Sequence, residues 1–428
     1  MSRLLLRKGL VIDPSQGLEA HRTVVIEDGK ITALLQDDPA PLPGDESIDA
    51  GKLWILPGLI DLHTHLREPG DEHKETFATG GAAGVAGGFT SLLAMGNTQP
   101  PPDVGSRVND VLERSRRDSL ATVYTVGTVT VGLLGEALTD AQALRRAGAV
   151  ALSDDGKPIV HPGLMRRALE QAGDADLPLL AHEEEPGLVG RGCMQEGPTA
   201  TRLGLSGVPP QAEEVMVRRD IALVELTGAR LHLQHLSTEG SLRALRDAKA
   251  RGLPVTGEAA PHHFSLTDAD VGDYDTNAKM NPPLRSDLDR EAVRIALADG
   301  TLDAIATDHA PHGPGEKQTV FDQAANGIVG LETAISLGLA LVREGRLSRR
   351  RLVELFTLGP SRVIPAFQAL GSLRVGSAAD VNLVDPEQRW LVEAAALRSK
   401  SKNSPWLGKQ LQGRVVCTLV RGKIVHRL

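Results

Sequence analysis

Cysteine is nearly absent: Cys193 and Cys417 are the only two in 428 residues. That excludes a disulfide framework and a cysteine-built zinc site, and it points to a reducing, cytoplasmic setting. Aromatic residues are scarce as well, at 3%, so apolar burial has to come mainly from Ala, Val, Leu and Ile. No apolar run approaches the ~18 residues of a membrane span. The opening stretch MSRLLLRKGLVIDPSQG meets polar residues too soon for a secretory signal. Positive charge is in deficit, and a net charge of −8 argues against a general nucleic-acid binder.

What remains is an ordinary soluble composition, 41% hydrophobic and 24% charged, in a chain long enough for a large core. Its two ends read alike. Short β-rich runs at Leu4–Ile12, Thr23–Glu27, Lys30–Leu35 and Leu53–Ile55 are broken by Asp28-Gly29 and a Pro-rich stretch, Asp38–Gly44. Val381–Val384, Val415–Val420 and Lys423–Val425, broken by Arg421-Gly422, repeat the style at the C-terminus. One small β domain built from both termini is expected, with no catalytic residues of its own.

The middle alternates. Apolar, β-branched runs recur at Leu56–Leu62, Phe89–Met95, Ala121–Val126, Ala149–Leu152, Pro178–Ala181, Arg230–Leu233, Pro254–Glu258 and Leu302–Ala306. Stretches with helical spacing lie between them, such as Gly163–Gln171, Ala212–Leu226, Ser241–Arg251 and Arg290–Ala298. Strands alternating with helices in this way predict a (β/α)8 TIM-type barrel, joined to a small β-sandwich domain formed by the N- and C-terminal segments. The expected divisions are residues 1–56, 57–368 and 369–428.

Functional groups of such barrels gather at the C-terminal ends of the strands. Here the first strand ends in His63 and His65, and the second in Gly96-Asn97-Thr98. The fourth ends in Asp154-Asp155, the fifth in His182-Glu183-Glu184, the sixth in His235, and the eighth in Thr307-Asp308-His309. Strand alternation places His63 and His65 on one face, with Asp61 on that face one layer deeper. It lets only one of His232 and His235 point inward. His235 is nearer the rim, with Leu231 and Leu233 on its face; alternation does not choose between Asp154 and Asp155. Four imidazoles and two carboxylates exceed the three protein ligands of one catalytic zinc and suit a pair of ions sharing a carboxylate. A nucleophile supplied by metal also removes the need for a G-x-S-x-G elbow, which the chain lacks.

At this point the residues match a known family. Over nearly its whole length the chain resembles the amidohydrolase superfamily and, within it, the class I bacterial dihydroorotases. The segments DLHTHLREPG, HKETFATGGAAGVAGGFT, AMGNTQP, SDDGKP, AHEEE, HLQHLST, EAAPHHF, KMNPPLR, ATDHAPH and GIVGLET carry the likeness, HTHLREPG with ATDHAPH being the most specific. The resemblance implies reversible hydrolysis of dihydroorotate to N-carbamoyl-L-aspartate, in pyrimidine synthesis, by a two-zinc mechanism. It implies that His63, His65 and Asp308 hold one zinc, His182 and His235 the other, and that Asp155 bridges them. Arg67, Asn97 and His312 would grip the substrate carboxylate, with His65 beside them; Asn281 would contact the ring amide, and Asp308 would shuttle the proton. Asn326 and Gly327 would offer backbone donors, although Ala325-Asn326 stands where the family usually has Pro-Phe, and Gly96 where it commonly has Pro. His312–Gly327 is a candidate loop over the substrate.

Hydantoinases, dihydropyrimidinases and allantoinases are more distantly similar. They bridge their metals with a carboxylated lysine, for which Lys157 would be the candidate. Some dihydroorotase-like chains are non-catalytic partners of aspartate transcarbamoylase and have lost metal ligands; here every ligand position is filled. The family likeness further implies self-association and possible binding to that transcarbamoylase.

Overall fold

The computed structural model describes residues 3–40 and 42–428. Eight parallel strands form the centre: β1 (Leu59–Thr64), β2 (Phe89–Ala94), β3 (Thr122–Gly127), β4 (Ala151–Ser153), β5 (Leu179–Ala181), β6 (Leu231–Leu233), β7 (Val255–Ala259) and β8 (Ala304–Ile305). They pair in sequence order. A bridge between Thr64 and His309, with the His65 N–H donating to the His309 carbonyl at 2.8 Å, joins the last strand to the first. The eight expected strands are all present; the last, Ala304–Ile305, is three residues shorter than the apolar run that announced it.

Helices pack outside. The four expected stretches appear as Pro162–Asp174, Gln211–Thr227, Glu239–Ala250 and Asp287–Asp299. Each buries one stripe, as in Leu242, Leu245 and Ala248 on the third of them, which Thr238 caps through the Ser241 N–H. The barrel interior is filled by Ile60, Leu62, Leu93, Met95, Val126, Ala151, Leu180, Ala304 and Ala306. Phe367, from the turn after the last helix, joins them and packs on Tyr124 at 4.6 Å between ring centres.

A second, mixed sheet joins the termini. Its order is Lys423–Arg427, Gln410–Val420, Val381–Leu391, Trp54–Pro57, Leu4–Asp13, Leu18–Glu27, Lys30–Leu35. Trp54–Pro57 therefore sits between N-terminal and C-terminal strands. The strand Leu4–Asp13 bends at Lys8-Gly9, pairing with Glu46–Asp49 before the bend and with Trp54–Pro57 after it. Gly9 is required there, because a Cβ would lie 2.5 Å from Ile55 Cγ1. The sheet folds over a core of its own that includes Leu6, Val24, Ile26, Ile55, Leu383 and Leu419, the arrangement of a small sandwich.

The excursion between Val381–Leu391 and Gln410–Val420 leaves this sheet and reaches the C-terminal rim of the barrel. Asn403 donates to the carbonyls of Ala310 and Gly327, both at 2.9 Å, and accepts from the His312 N–H at 3.0 Å. Nothing in the composition of the C-terminal segment signalled this contact.

Candidate metal centre and active site

The local path of β1 decides where its histidines point. In register with β2, Asp61 lies opposite Leu92 and Thr64 opposite Ala94. Leu62 and His63 thus stand against the single residue Leu93, a bulge that turns both inward. Asp61 does not share the face of His63, contrary to plain alternation. Its carboxylate accepts from the backbone N–H of His63 at 3.1 Å, and from the Thr307 N–H at 3.0 Å and hydroxyl at 2.5 Å. It secures the bulge to β8.

A second break in alternation occurs after β6. His232 points into the barrel, bonded to Glu258 Oε2 at 3.0 Å and Thr256 Oγ1 at 2.8 Å, while Leu231 and Leu233 face the helices. His235 reaches the interior as well, because its backbone turns left-handed at φ 35°. The expectation that only one of these histidines faces in is therefore corrected. Arg67 and Asp308 also have positive φ, 63° and 47°, so three residues of the site are held in a conformation non-glycine residues seldom adopt.

The side chains converge. His63 Nε2 lies 3.1 Å from Asp155 Oδ2 and 3.5 Å from Asp308 Oδ1; His65 Nε2 lies 3.4 and 3.2 Å from the same two atoms. Asp155 Oδ1 faces the other pair, 3.6 Å from His182 Nδ1 and 3.5 Å from His235 Nε2, which are themselves 2.9 Å apart. Asp155 is thus the one residue common to two clusters, His63–His65–Asp155 and Asp155–His182–His235. Asp154 is elsewhere, capping the backbone of Val129 and Thr130.

This donor set fits divalent cations. His63 Nε2, Asp155 Oδ1 and Asp308 Oδ2 are buried with no hydrogen-bond partner among the described residues, a costly state for polar atoms that a cation would relieve. Electrostatics agrees. Burial opposes a charge on His63, yet Asp155 and Asp308 outweigh it and raise its pKa well above the usual value. Burial would likewise raise Asp155, but His63, His182 and His235 hold it well below the carboxylate range. Opposite charges packed this closely make a site whose imidazolium protons a metal would displace.

The ring nitrogens turned away from the cluster are fixed by partners. His63 Nδ1 contacts Glu258 Oε1 at 3.0 Å and Gln234 at 3.1 Å; His65 Nδ1 contacts Asn97 Oδ1 at 2.8 Å; His182 Nε2 contacts Glu184 at 3.2 Å. Each leaves a lone pair facing inward. Glu258 and Gln234 escaped the sequence reading, and His232 was turned outward by it. The alternation of Thr256 with Glu258 and of His232 with Gln234, polar positions facing inward on two neighbouring strands, was the available signal.

A cavity of about 200 Å³ opens over the cluster, lined by His65, Arg67, Asn97, Asp155, Gly156, His182, His235, Met280, Asn281, Asp308, Ala310, His312 and Asn326. Gly156, beside Asn97, takes φ 84°, a left-handed conformation that favours glycine. Arg67 is buried. Its Nε donates to the Pro311 carbonyl at 3.2 Å and its Nη2 lies 3.3 Å from His312 Nε2. Its guanidinium forms no salt bridge among the described residues; burial lowers its pKa against the more distant carboxylates of Asp71, Asp308, Glu316 and Asp155. Gly327 is the one expected substrate contact outside the lining: its N–H donates to the Lys279 carbonyl at 3.0 Å and its own carbonyl is taken by Asn403. Lys157 donates to the Leu133 carbonyl at 3.1 Å.

Fold and site together define a metal-dependent hydrolase of the amidohydrolase superfamily. Residues 51–241 match the family described as Dihydro-orotase-like. The chain is 56% identical to a dihydroorotase of Anaeromyxobacter dehalogenans over 99% of its length and 98% of that protein's. It is 50% identical to one from Geobacter sp. strain M21, over 99% of each. Its fold is that of the L-hydantoinase of Arthrobacter aurescens, with a TM-score of 0.89 at 23% identity, covering 99% of this chain and 96% of that one. The chain belongs to the dihydroorotase family.

Proposed function

We propose that the chain catalyses the reversible hydrolysis of (S)-dihydroorotate to N-carbamoyl-L-aspartate, the ring-closing step of pyrimidine synthesis read backwards. The observation that carries the reading is Arg67, a buried guanidinium without a carboxylate partner among the described residues, facing the same cavity as the ligand cluster. Burying such a charge is costly unless something answers it, and the exocyclic carboxylate of dihydroorotate does so. Hydantoin, dihydrouracil and allantoin have no such group.

Two zinc ions are the proposed metals: His63, His65 and Asp308 would hold one, His182 and His235 the other, and Asp155, common to both clusters, would serve each. When bound, such ions make hydroxide available at neutral pH and polarise a carbonyl. The protein's own part is positioning and proton transfer. Arg67, with His312 and Asn97, holds the carboxylate, for which a planar guanidinium offers two parallel donors. Asn281 meets the ring amide, and Asn326 borders the ring. Asp308 receives the proton of the attacking water and delivers it to the departing ring nitrogen. Gly327 acts indirectly, by anchoring the 312–327 loop. The commitment of Lys157 to Leu133 favours Asp155 over a carboxylated lysine as the bridge.

Comparing hydrolysis of dihydroorotate with that of hydantoin, dihydrouracil and allantoin tests the proposal. Dihydroorotate is the expected substrate; activity confined to the uncarboxylated rings overturns it. A cytoplasmic location, self-association and binding to aspartate transcarbamoylase are proposed with it, and co-elution of the two purified proteins tests the last.

A further inference from the structure

Glu184, two residues past His182, holds that ring from behind and also touches a second residue of the cavity wall. Its Oε2 lies 3.2 Å from His182 Nε2 and 2.5 Å from Asn281 Nδ2, and Asn281 Nδ2 is itself 3.4 Å from His182 Nε2. One carboxylate oxygen therefore receives two donors from different elements, the end of β5 and the segment after β7.

Each bond fixes a choice the partner would otherwise have. An imidazole that donates from Nε2 carries no proton on Nδ1, and Nδ1 is the nitrogen that His182 turns toward Asp155 and His235. An amide whose NH2 is committed to Glu184 presents its oxygen, the acceptor, elsewhere. Asn281 lines the cavity, so what it offers a ring there is an acceptor suited to a ring N–H.

We infer that Glu184 is a positioning residue that sets two orientations at once: the tautomer of one metal-facing imidazole and the direction of the amide that reads the substrate ring. The second half rests on the proposed substrate; the first rests only on the proposed metal at His182. A carboxylate behind a ligand imidazole is worth about 10- to 100-fold in metal affinity, so the two halves have separate readouts.

The experiment uses the purified full-length chain as parent, Glu184→Ala, Glu184→Gln, Asn281→Ala and the Glu184→Ala/Asn281→Ala pair. Zinc affinity is measured by competition with a chromophoric chelator, and KM and kcat with dihydroorotate. Glu184→Ala is expected to weaken zinc binding about 10- to 100-fold and, at saturating zinc, to raise KM more than it lowers kcat. In the Asn281→Ala background the same change still weakens zinc binding but adds nothing further to KM. Glu184→Gln, which keeps one acceptor oxygen, recovers part of the zinc affinity. Unchanged zinc affinity in Glu184→Ala overturns the tautomer assignment, and a KM effect that is additive with Asn281→Ala overturns the link to the substrate amide. Should the parent chain fail to hydrolyse dihydroorotate, the proposed function falls while the zinc titrations still decide the role toward His182.

Discussion

Replacing Arg67 by Met removes the charge of a buried side chain that forms no salt bridge among the described residues, while keeping an apolar stem of similar reach. Losing one partner of a buried, hydrogen-bonded charge pair costs about 2–5 kcal/mol. At about 1.4 kcal/mol per tenfold, this is roughly a 30- to 4,000-fold loss in kcat/KM for dihydroorotate. The fold has the opposite stake. Without substrate, the guanidinium keeps only its bonds to the Pro311 carbonyl and His312 and bears the desolvation cost. Thermal melting of Arg67→Met is therefore expected at or above the parent's Tm while activity collapses. The assay pairs dihydroorotate with dihydrouracil, which shares the ring but has no carboxylate. Equal losses on both rings, or no loss on dihydroorotate, would refute the argument that this cation exists for the substrate's anion.

Other outcomes follow from the same geometry. Asp155→Asn should abolish two-metal loading by elemental analysis, whereas Lys157→Arg should leave it intact; the reverse pattern would move the bridge to the lysine. Asn403→Ala strands the Ala310 and Gly327 carbonyls and the His312 N–H, so a loss of about 2–4 kcal/mol in urea unfolding and a raised KM are expected. Lys317 is buried in the loop, where its ammonium donates to the carbonyls of Lys279 and Ala325; burial first, and then Lys279, push its pKa down to about 7. Between pH 7 and 9 the unfolded chain binds a proton there that the folded chain has shed. Stability from this group therefore rises with pH, by up to about 1.4 kcal/mol per unit. Urea midpoints from pH 6 to 9 should show that slope in the parent and a flatter one in Lys317→Met.

Sequence periodicity gave the strands and helices because burial on a barrel is periodic. It also gave the ends of the strands, where His63, His65, Asp155, His182, His235 and Asp308 gather. It misplaced groups wherever the backbone leaves regular pleating. The bulge at Leu62-His63 moved Asp61 off the histidines' face, and the left-handed turn at His235 let both it and His232 enter the barrel. Neither feature has a composition of its own. Contacts between distant segments were harder still: Asn403 at the rim and Glu184 on Asn281 depend on where two elements meet in space. Gly327 illustrates the converse, a residue whose N–H was free in the sequence and is used in the fold.

The excursion around Asn403 has a bearing on when this protein becomes competent during synthesis. His312 and Gly327 are tethered by Asn403, well past the last barrel strand, and Trp54–Pro57, just ahead of β1, pairs with the later strand Val381–Leu391. A nascent chain whose barrel has already emerged from the ribosome still lacks the clasp on its substrate-facing loop. Translation thus has to pass Asn403 before the mouth of the cavity takes its final shape, and truncation ahead of that residue is expected to disarm a barrel whose eight strands are all present.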